Sequence, residues 1–188
     1  MKNFFLLLAV VLLALPSLAR DFEYNGLTYT VLDEDARTCE TKAGNRGTSG
    51  NHVEGDIVIP DIVYDGDKEY SVTSIGGYSF CYCYGLTSIK LPELMTEIGE
   101  SAFSECIALS SVELGNSVTE IGTAAFFHCV ELTSIVIPDS VVSIGDSAFA
   151  YCEKLASVKI GDSVTEIGDS AFRECIALSS VEIGNSVT

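Results

Sequence analysis

The soft nucleophiles and metal ligands of this 188-residue chain are seven cysteines and two histidines, His52 and His128. Five of the cysteines, Cys83, Cys106, Cys129, Cys152 and Cys175, recur at a constant step of 23 residues. A zinc site draws its thiolates in close pairs, a few residues apart, and a disulfide staple needs partners that face each other; one cysteine per 23 residues offers neither. The column therefore reads as small interior side chains. Cys39 and Cys81 lie outside it, and in an oxidising compartment these two could pair. His128 has Glu131, Asp139 and Ser140 downstream, which are the residue types of a catalytic triad, yet no nucleophile elbow and no oxyanion glycine accompany them. It reads as an exposed, variable position. Asp33-Glu34-Asp35 starts like a calcium loop but lacks the glycine at the sixth position and the closing glutamate, so it reads as a solvated turn. The four arginines of the chain are too few for the Asp/Arg/Lys cluster of a polysaccharide-cleaving solenoid. The expectation is a protein with no catalytic residues, no metal and no cofactor.

Acidic side chains outnumber basic ones 27 to 10, giving a net charge of −17. Nucleic acid and anionic membrane surfaces would repel such a chain. With 47% hydrophobic residues it can bury a substantial core. Residues 1–19 carry a basic start at Lys2, an apolar run from Phe4 to Leu15 and the small-residue ending Ser17-Leu18-Ala19, the layout of a secretory signal peptide. The apolar run is short of the roughly 20 residues that span a bilayer. Arg20 follows the expected cut, so no cysteine stands there for lipidation. The expected location is secreted or cell-surface, with no transmembrane segment in the mature chain.

A single period organises the rest. Ile75, Ile98, Ile121, Ile144 and Ile167 are 23 residues apart and each is followed by glycine. Phe80, Phe103, Phe126, Phe149 and Phe172 keep the same phase, as do Leu86, Leu109, Leu132, Leu155 and Leu178. One copy has too few apolar residues to close a core, and stacking copies buries them as continuous ladders. The alternation at Ser134-Ile135-Val136-Ile137 predicts a short strand with Ile135 and Ile137 inward and Ser134 and Val136 outward. The stretch Asp146 to Cys152 does not alternate and predicts a single helical or 3-10 turn on the opposite side. Val118, Ile121, Val141 and Ile144 fill the third side, and the glycine after each isoleucine suits a bend where a side chain would clash. Successive strands are expected to form one parallel ladder at about 4.8 Å per step, roughly 24 Å over five coils.

The pattern Ile-Gly-x-x-Ala-Phe-x-x-Cys-x-x-Leu-x-x-Val/Ile-x-Ile/Leu resembles the BspA-like, or Treponema pallidum type, leucine-rich repeats of bacterial surface proteins. The resemblance spans residues 71–188, about five coils with the last incomplete, and the first copy departs from it in Ser79 and the bulky Cys81-Tyr82-Cys83-Tyr84. The fold class it implies is a repeat solenoid: a parallel β ladder with short turns, an N-terminal β cap and no C-terminal cap. Residues 20–70 break the period and carry strand-like runs separated by the turn signals Asn25-Gly26 and Asp65-Gly66, with a glycine-rich loop over Gly44–Asn51, and are read as that cap. Residues 104–119 and 173–188 differ at two positions, Ser104 against Arg173 and Leu114 against Ile183, which points to duplication of a three-coil block. Thr188 stops in mid-coil, so the open end is expected to continue or to self-associate.

The candidate partner-binding face is the outward strand surface, where Ser88, Ser111, Ser134, Ser157 and Ser180 form one column and Lys90, Glu113, Val136, Lys159 and Glu182 the next. Charge pairing of Lys90 with Glu113 and of Lys159 with Glu182 is the purely structural role open to these residues. The resemblance implies adhesion to an extracellular protein of a host matrix or a microbial surface. An ice- or surface-binding Ser/Thr array and a non-catalytic scaffold of a larger surface protein are the alternatives. Glu97, Glu120 and Glu166 make a separate acidic stripe suited to solubility.

Overall fold

The computed structural model describes residues 20–42 and 53–187; the signal-peptide reading of residues 1–19 and the loop reading of Gly44–Asn51 lie outside them. From Leu86 onward each repeat lays down one longer and one shorter strand. The longer strands are β7 (Leu86–Lys90), β9 (Ser111–Glu113), β11 (Ser134–Ile137), β13 (Ser157–Ile160) and β15 (Ser180–Glu182). The shorter ones are β8 (Glu97–Ile98), β10 (Glu120–Ile121), β12 (Ser143–Ile144) and β14 (Glu166–Ile167). Pairing is parallel and in register: Ile121 stands beside Ile144, and Ile135 beside Val158. Equivalent side chains therefore lie over one another, which turns sequence columns into ladders.

Before them come β1 (Asp21–Tyr24), β2 (Leu27–Asp33), β3 (Thr38–Thr41), β4 (Gly55–Val58), β5 (Ile62–Asp65) and β6 (Lys68–Ile75). β1 and β2 form a hairpin around Asn25 and Gly26, whose φ values of 49° and 80° are the left-handed pair that such a tight turn requires. β5 and β6 form a second hairpin. β3 pairs with β6 and β6 with β8, so these strands and the shorter repeat strands share a nine-stranded sheet. β4 runs parallel to β7 and joins the sheet of β7 and β9.

The phenylalanines form the spine of the core. From Phe80 to Phe172 successive ring centroids are 5.2, 5.1, 5.2 and 5.3 Å apart, and no two neighbouring planes diverge by more than 9°. Each copy covers the one before. Val158 and Ile160 are 2% and 4% exposed beneath β15, whereas their equivalents Val181 and Ile183 in the last described copy are 47% and 59% exposed. Full burial of one such side chain is worth about 1.5–3 kcal/mol, so stability accrues across coil-to-coil interfaces rather than within a coil.

The segment expected to form a single helical or 3-10 turn is a run of turns closed by hydrogen bonds to the carbonyl three residues back, and no helix occurs among the described residues. The backbone hydrogen bonds explain why. Ser101, Phe103 and Glu105 donate their N–H groups to the carbonyls of Thr123, Ala125 and Phe127 in the next copy, while Ala102, Ser104 and Cys106 donate to the carbonyl three residues back. A helix would take every one of these donors for itself; here half of them join coils. The geometry forces left-handed backbone on residues other than glycine, Ser101 at φ 52° and Glu105 at 63°, and repeats at Ala124, His128, Ser147 and Tyr151. Each costs on the order of 1–2 kcal/mol, which the saturated hydrogen bonding offsets. The glycine after each isoleucine meets the sequence expectation: a Cβ on Gly99, Gly122, Gly145 or Gly168 would lie 2.5–2.8 Å from atoms of the preceding copy.

The continuous ladder of longer strands does not form. Those strands divide into β4-β7-β9 and β11-β13-β15, with no pairing between β9 and β11. The cause lies one or two residues beyond the strands, in the column Pro92, Gly115, Pro138, Gly161, Gly184. A Cβ on Gly115 would sit 2.1 Å from the Pro92 carbonyl oxygen, one on Gly161 2.5 Å from that of Pro138, and one on Gly184 2.3 Å from that of Gly161. Close stacking thus demands glycine on the later copy. Pro138 carries a Cβ where Gly115, Gly161 and Gly184 carry none, and among the four junctions between repeats the ladder opens at that one alone; Pro92, the other proline of the column, follows β7, which keeps its pairing with β4. The N-terminal strand β4 meets β7 with a register shift between Gly55 and Asp56.

Candidate binding face

The outward residues of the longer strands stand where the sequence puts them. Ser88 lies beside Ser111 and Lys90 beside Glu113 on β7 and β9. Across β11, β13 and β15, Ser134, Ser157 and Ser180 align, as do Val136, Lys159 and Glu182. The strand alternation is realised in β11, where Ser134 and Val136 are exposed and Ile135 and Ile137 buried. The split of the ladder separates the ten candidate residues into a group of four and a group of six.

Their interactions differ between copies. Lys90 Nζ lies 3.0 Å from Glu113 Oε2, an exposed pair that solvent screens. Lys159 and Glu182 share the same register but form no ion pair. Ser88 Oγ and Thr87 Oγ1 donate to Asp56 Oδ1 at 2.6 and 2.8 Å, and these two hydrogen bonds hold the Asp56 carboxyl below its ordinary range. Val136, 61% exposed, is an apolar residue in the middle of this surface.

Along the rim runs a ladder that the sequence reading missed. Asp61, Glu93, Asp139 and Asp162 each accept a hydrogen bond from the backbone N–H of the equivalent residue one coil on: Glu93 (2.9 Å), Asn116 (3.2 Å), Asp162 (3.0 Å) and Asn185 (3.2 Å). The step from Asn116 to Asp139 has no such bond, and it falls at the junction that Pro138 holds apart. A cleft of about 600 Å³ opens there, lined by Ser111, Val112, Leu114, Val136 and Lys159 among others. Val112 and Leu114 are only partly buried, while their equivalents Ile89, Leu91, Ile135 and Ile137 are buried.

The other chemically suggestive residues have structural partners. The five column cysteines are buried free thiols, and four of them donate their S–H to a main-chain carbonyl of the preceding coil: Cys106 to Phe80 at 3.0 Å, Cys129 to Phe103 at 3.2 Å, Cys152 to Phe126 at 3.2 Å and Cys175 to Phe149 at 3.1 Å. Burial pushes these thiols up, that of Cys152 to about 12. They are protonated donors and not nucleophiles. Cys39 and Cys81 are both free thiols, and the Cys39 thiol is likewise pushed up to about 12 by burial. His128 Nδ1 lies 2.7 Å from Glu105 Oε2 of the preceding coil, and Ser140 Oγ donates to the Val118 carbonyl at 2.6 Å, so the residues that suggest a triad are engaged elsewhere. Asp33 Oδ1 accepts the N–H groups of Asp35 and Ala36, and the Glu34 carboxylate accepts from Tyr70, which holds it well below the ordinary range with help from Lys68 and Arg20.

No helix among the described residues is long and apolar enough to cross a membrane. A comparison with curated protein sequences gives no match. The model of the BspA type leucine rich repeat region matches residues 73–188, in six copies. Among solved structures the chain is similar to the leucine-rich repeat protein of T. pallidum, with 31% identity, a TM-score of 0.73, and 86% of this chain and 71% of that one covered. It is also similar to a leucine-rich cell surface protein of Faecalibacterium prausnitzii, with 35% identity, a TM-score of 0.74, and 90% of this chain but 44% of that one covered. The pneumococcal vaccine antigen PcpA, at 20% identity and a TM-score of 0.63, shares the fold. The in-register solenoid and these matches together place the chain in the BspA-type leucine-rich repeat family.

Proposed function

We propose that the outward face of the longer strands is a protein-binding surface of a secreted or cell-surface adhesion protein, and that its partner is an extracellular protein of a host matrix or a microbial surface. One observation carries the reading. The outward side chains are held at fixed spacing within β7–β9 and within β11–β13–β15 by a backbone whose order depends on buried ladders, so binding need not order the surface that receives the partner. Similarity to a bacterial cell surface protein supports the location. The mixed Lys, Glu and Val column and the split at Pro138 weigh against an ice or crystal lattice, which calls for one flat and uniform array.

The test is a solid-phase screen of the chain against host matrix proteins and microbial cells, repeated with Lys90, Glu113, Lys159 and Glu182 all changed to alanine. Binding that falls at least about tenfold in the quadruple variant supports the face; exposed single contacts contribute little alone, which is why four are removed. Unchanged binding rejects it.

A further inference from the structure

We infer that the cleft between β9 and β11 is the anchoring point of this face, and that it receives one branched aliphatic side chain standing next to a carboxylate on an extended protein segment. The inference rests on the reading of the outward face as a binding surface and assigns it a place and a chemistry.

The cleft differs from every other junction between repeats in features that all bear on a ligand. Its floor is apolar, with Val112 and Leu114 partly uncovered where the equivalent residues of the neighbouring copies are sealed. Its walls have unpaired main-chain donors. Leu91 N–H reaches the Glu113 carbonyl at 2.9 Å and Ala156 N–H the Thr133 carbonyl at 2.9 Å, but Leu114 and Thr133, which hold the same positions at this junction, donate to no protein carbonyl. Its rim carries one uncommitted charge. Glu113 is paired with Lys90, and Asp139 Oδ1 accepts the Asp162 N–H, whereas the Lys159 ammonium has no ion-pair or hydrogen-bond partner among the described residues. Free N–H groups and a cation beside an apolar floor complement an aliphatic side chain with an acidic neighbour.

The width of the cleft decides between a side chain and a strand. A strand inserted between β9 and β11 would hold them two ladder steps apart, about 9.6 Å. Their Cα atoms still approach within 8 Å. That approach excludes an inserted backbone, and the cleft of about 600 Å³ has room for a side chain. Pro138 is the wedge: its Cβ occupies the approach that glycine leaves free at the other three junctions.

The experiment is a methyl NMR titration of the full chain with the peptide acetyl-Thr-Leu-Asp-Thr-amide and with its serine counterpart, acetyl-Thr-Ser-Asp-Thr-amide. The leucine peptide is expected to shift the methyl signals of Val112, Leu114 and Val136, to leave those of Leu155 and Val164 in place, and to bind about tenfold more tightly than the serine peptide. Lys159→Ala is expected to weaken binding by about threefold or more at low salt. Pro138→Gly is expected to restore β9–β11 pairing, seen as slowed exchange of the Leu114 amide, and to abolish the shifts. Shifts spread evenly along the sheet, equal binding of the two peptides, or retained binding in a Pro138→Gly chain with a protected Leu114 amide each overturn the inference. Should that amide stay unprotected, Ser111→Phe, an exposed rim position, plugs the cleft from outside, and retained binding then overturns it. Loss of partner binding in the quadruple alanine variant alongside undiminished binding in the plugged chain would leave the face intact and remove the anchoring point.

Discussion

Phe126→Ala tests the idea that the core is a stack of equivalent rings. Phe126 is fully buried between Phe103, 5.1 Å away at 9°, and Phe149, 5.2 Å away at 5°. Truncating a buried phenylalanine to alanine costs about 3–5 kcal/mol. Loss of two stacked neighbours puts this site at the top of that range, since such pairs add roughly 0.5–1.5 kcal/mol each beyond the area they bury. Phe172 is the natural control: it is partly buried and stacks on Phe149 alone, at 5.3 Å. The expected costs are about 4–5 kcal/mol for Phe126→Ala and about 2 kcal/mol for Phe172→Ala. Urea denaturation followed by circular dichroism measures both. Against a total stability of about 5–15 kcal/mol, the first variant should sit near its unfolding transition in dilute buffer. Equal costs at the two sites, or a cost below about 2 kcal/mol at Phe126, would refute the reasoning, because either result means the ring is not clamped from both sides.

Two further outcomes follow from the close approach of the coils. Gly145→Ala places a Cβ 2.5 Å from the Thr123 backbone nitrogen, and since backbone cannot swing aside it should destabilise by about 1–3 kcal/mol in the same denaturation assay; a neutral result would contradict the tight junction. The thiol ladder makes stability fall in alkali. The Cys39 and Cys152 thiols are pushed up to about 12 and those of Cys106, Cys129 and Cys175 are raised as well, against an ordinary value of 9.0. Above pH 9 the unfolded chain releases protons that the folded chain retains, so unfolding becomes easier by up to about 1.4 kcal/mol per pH unit per thiol until the folded values are passed. The urea midpoint should therefore drop between pH 9 and 12, and Cys152→Ala should flatten that slope; an unaltered slope would remove the role assigned to the thiol.

What the sequence made legible is what strict periodicity can encode. A constant step of 23 fixes which residues stack, so the phenylalanine spine, the buried thiols, the glycine bends and the in-out alternation of β11 could be read from spacing. Periodicity does not tell how closely two coils approach. The split at Pro138 was written in the column Pro92, Gly115, Pro138, Gly161, Gly184, but its meaning depends on an approach of coils so close that a Cβ on the glycines would lie 2.1–2.5 Å from the preceding carbonyl oxygen, which appears only in three dimensions. Of the two turns expected there, the helical one does not form for a related reason: the N–H groups of Ser101, Phe103 and Glu105 are claimed by the following coil, and no local window contains that competitor. Exposed long side chains are not fixed by register, which is why Lys90 meets Glu113 while Lys159 does not meet Glu182. The Asp/Asn rim ladder and the thiol-to-carbonyl bonds had a visible signal, a polar or sulfur residue at constant phase, and lacked only the knowledge of which main-chain group lay opposite.

Excision of a single coil tests the stacking of equivalent positions most directly. Removing residues 140–162 joins Asp139 to Ser163 and preserves every column, with one ring fewer in the spine. The shortened chain should unfold cooperatively in urea, at a lower midpoint and with the same β-type circular dichroism, whereas removing the 20 residues 140–159, which breaks phase, should abolish the transition. Cooperative unfolding of both, or of neither, would contradict an architecture built on in-register neighbours.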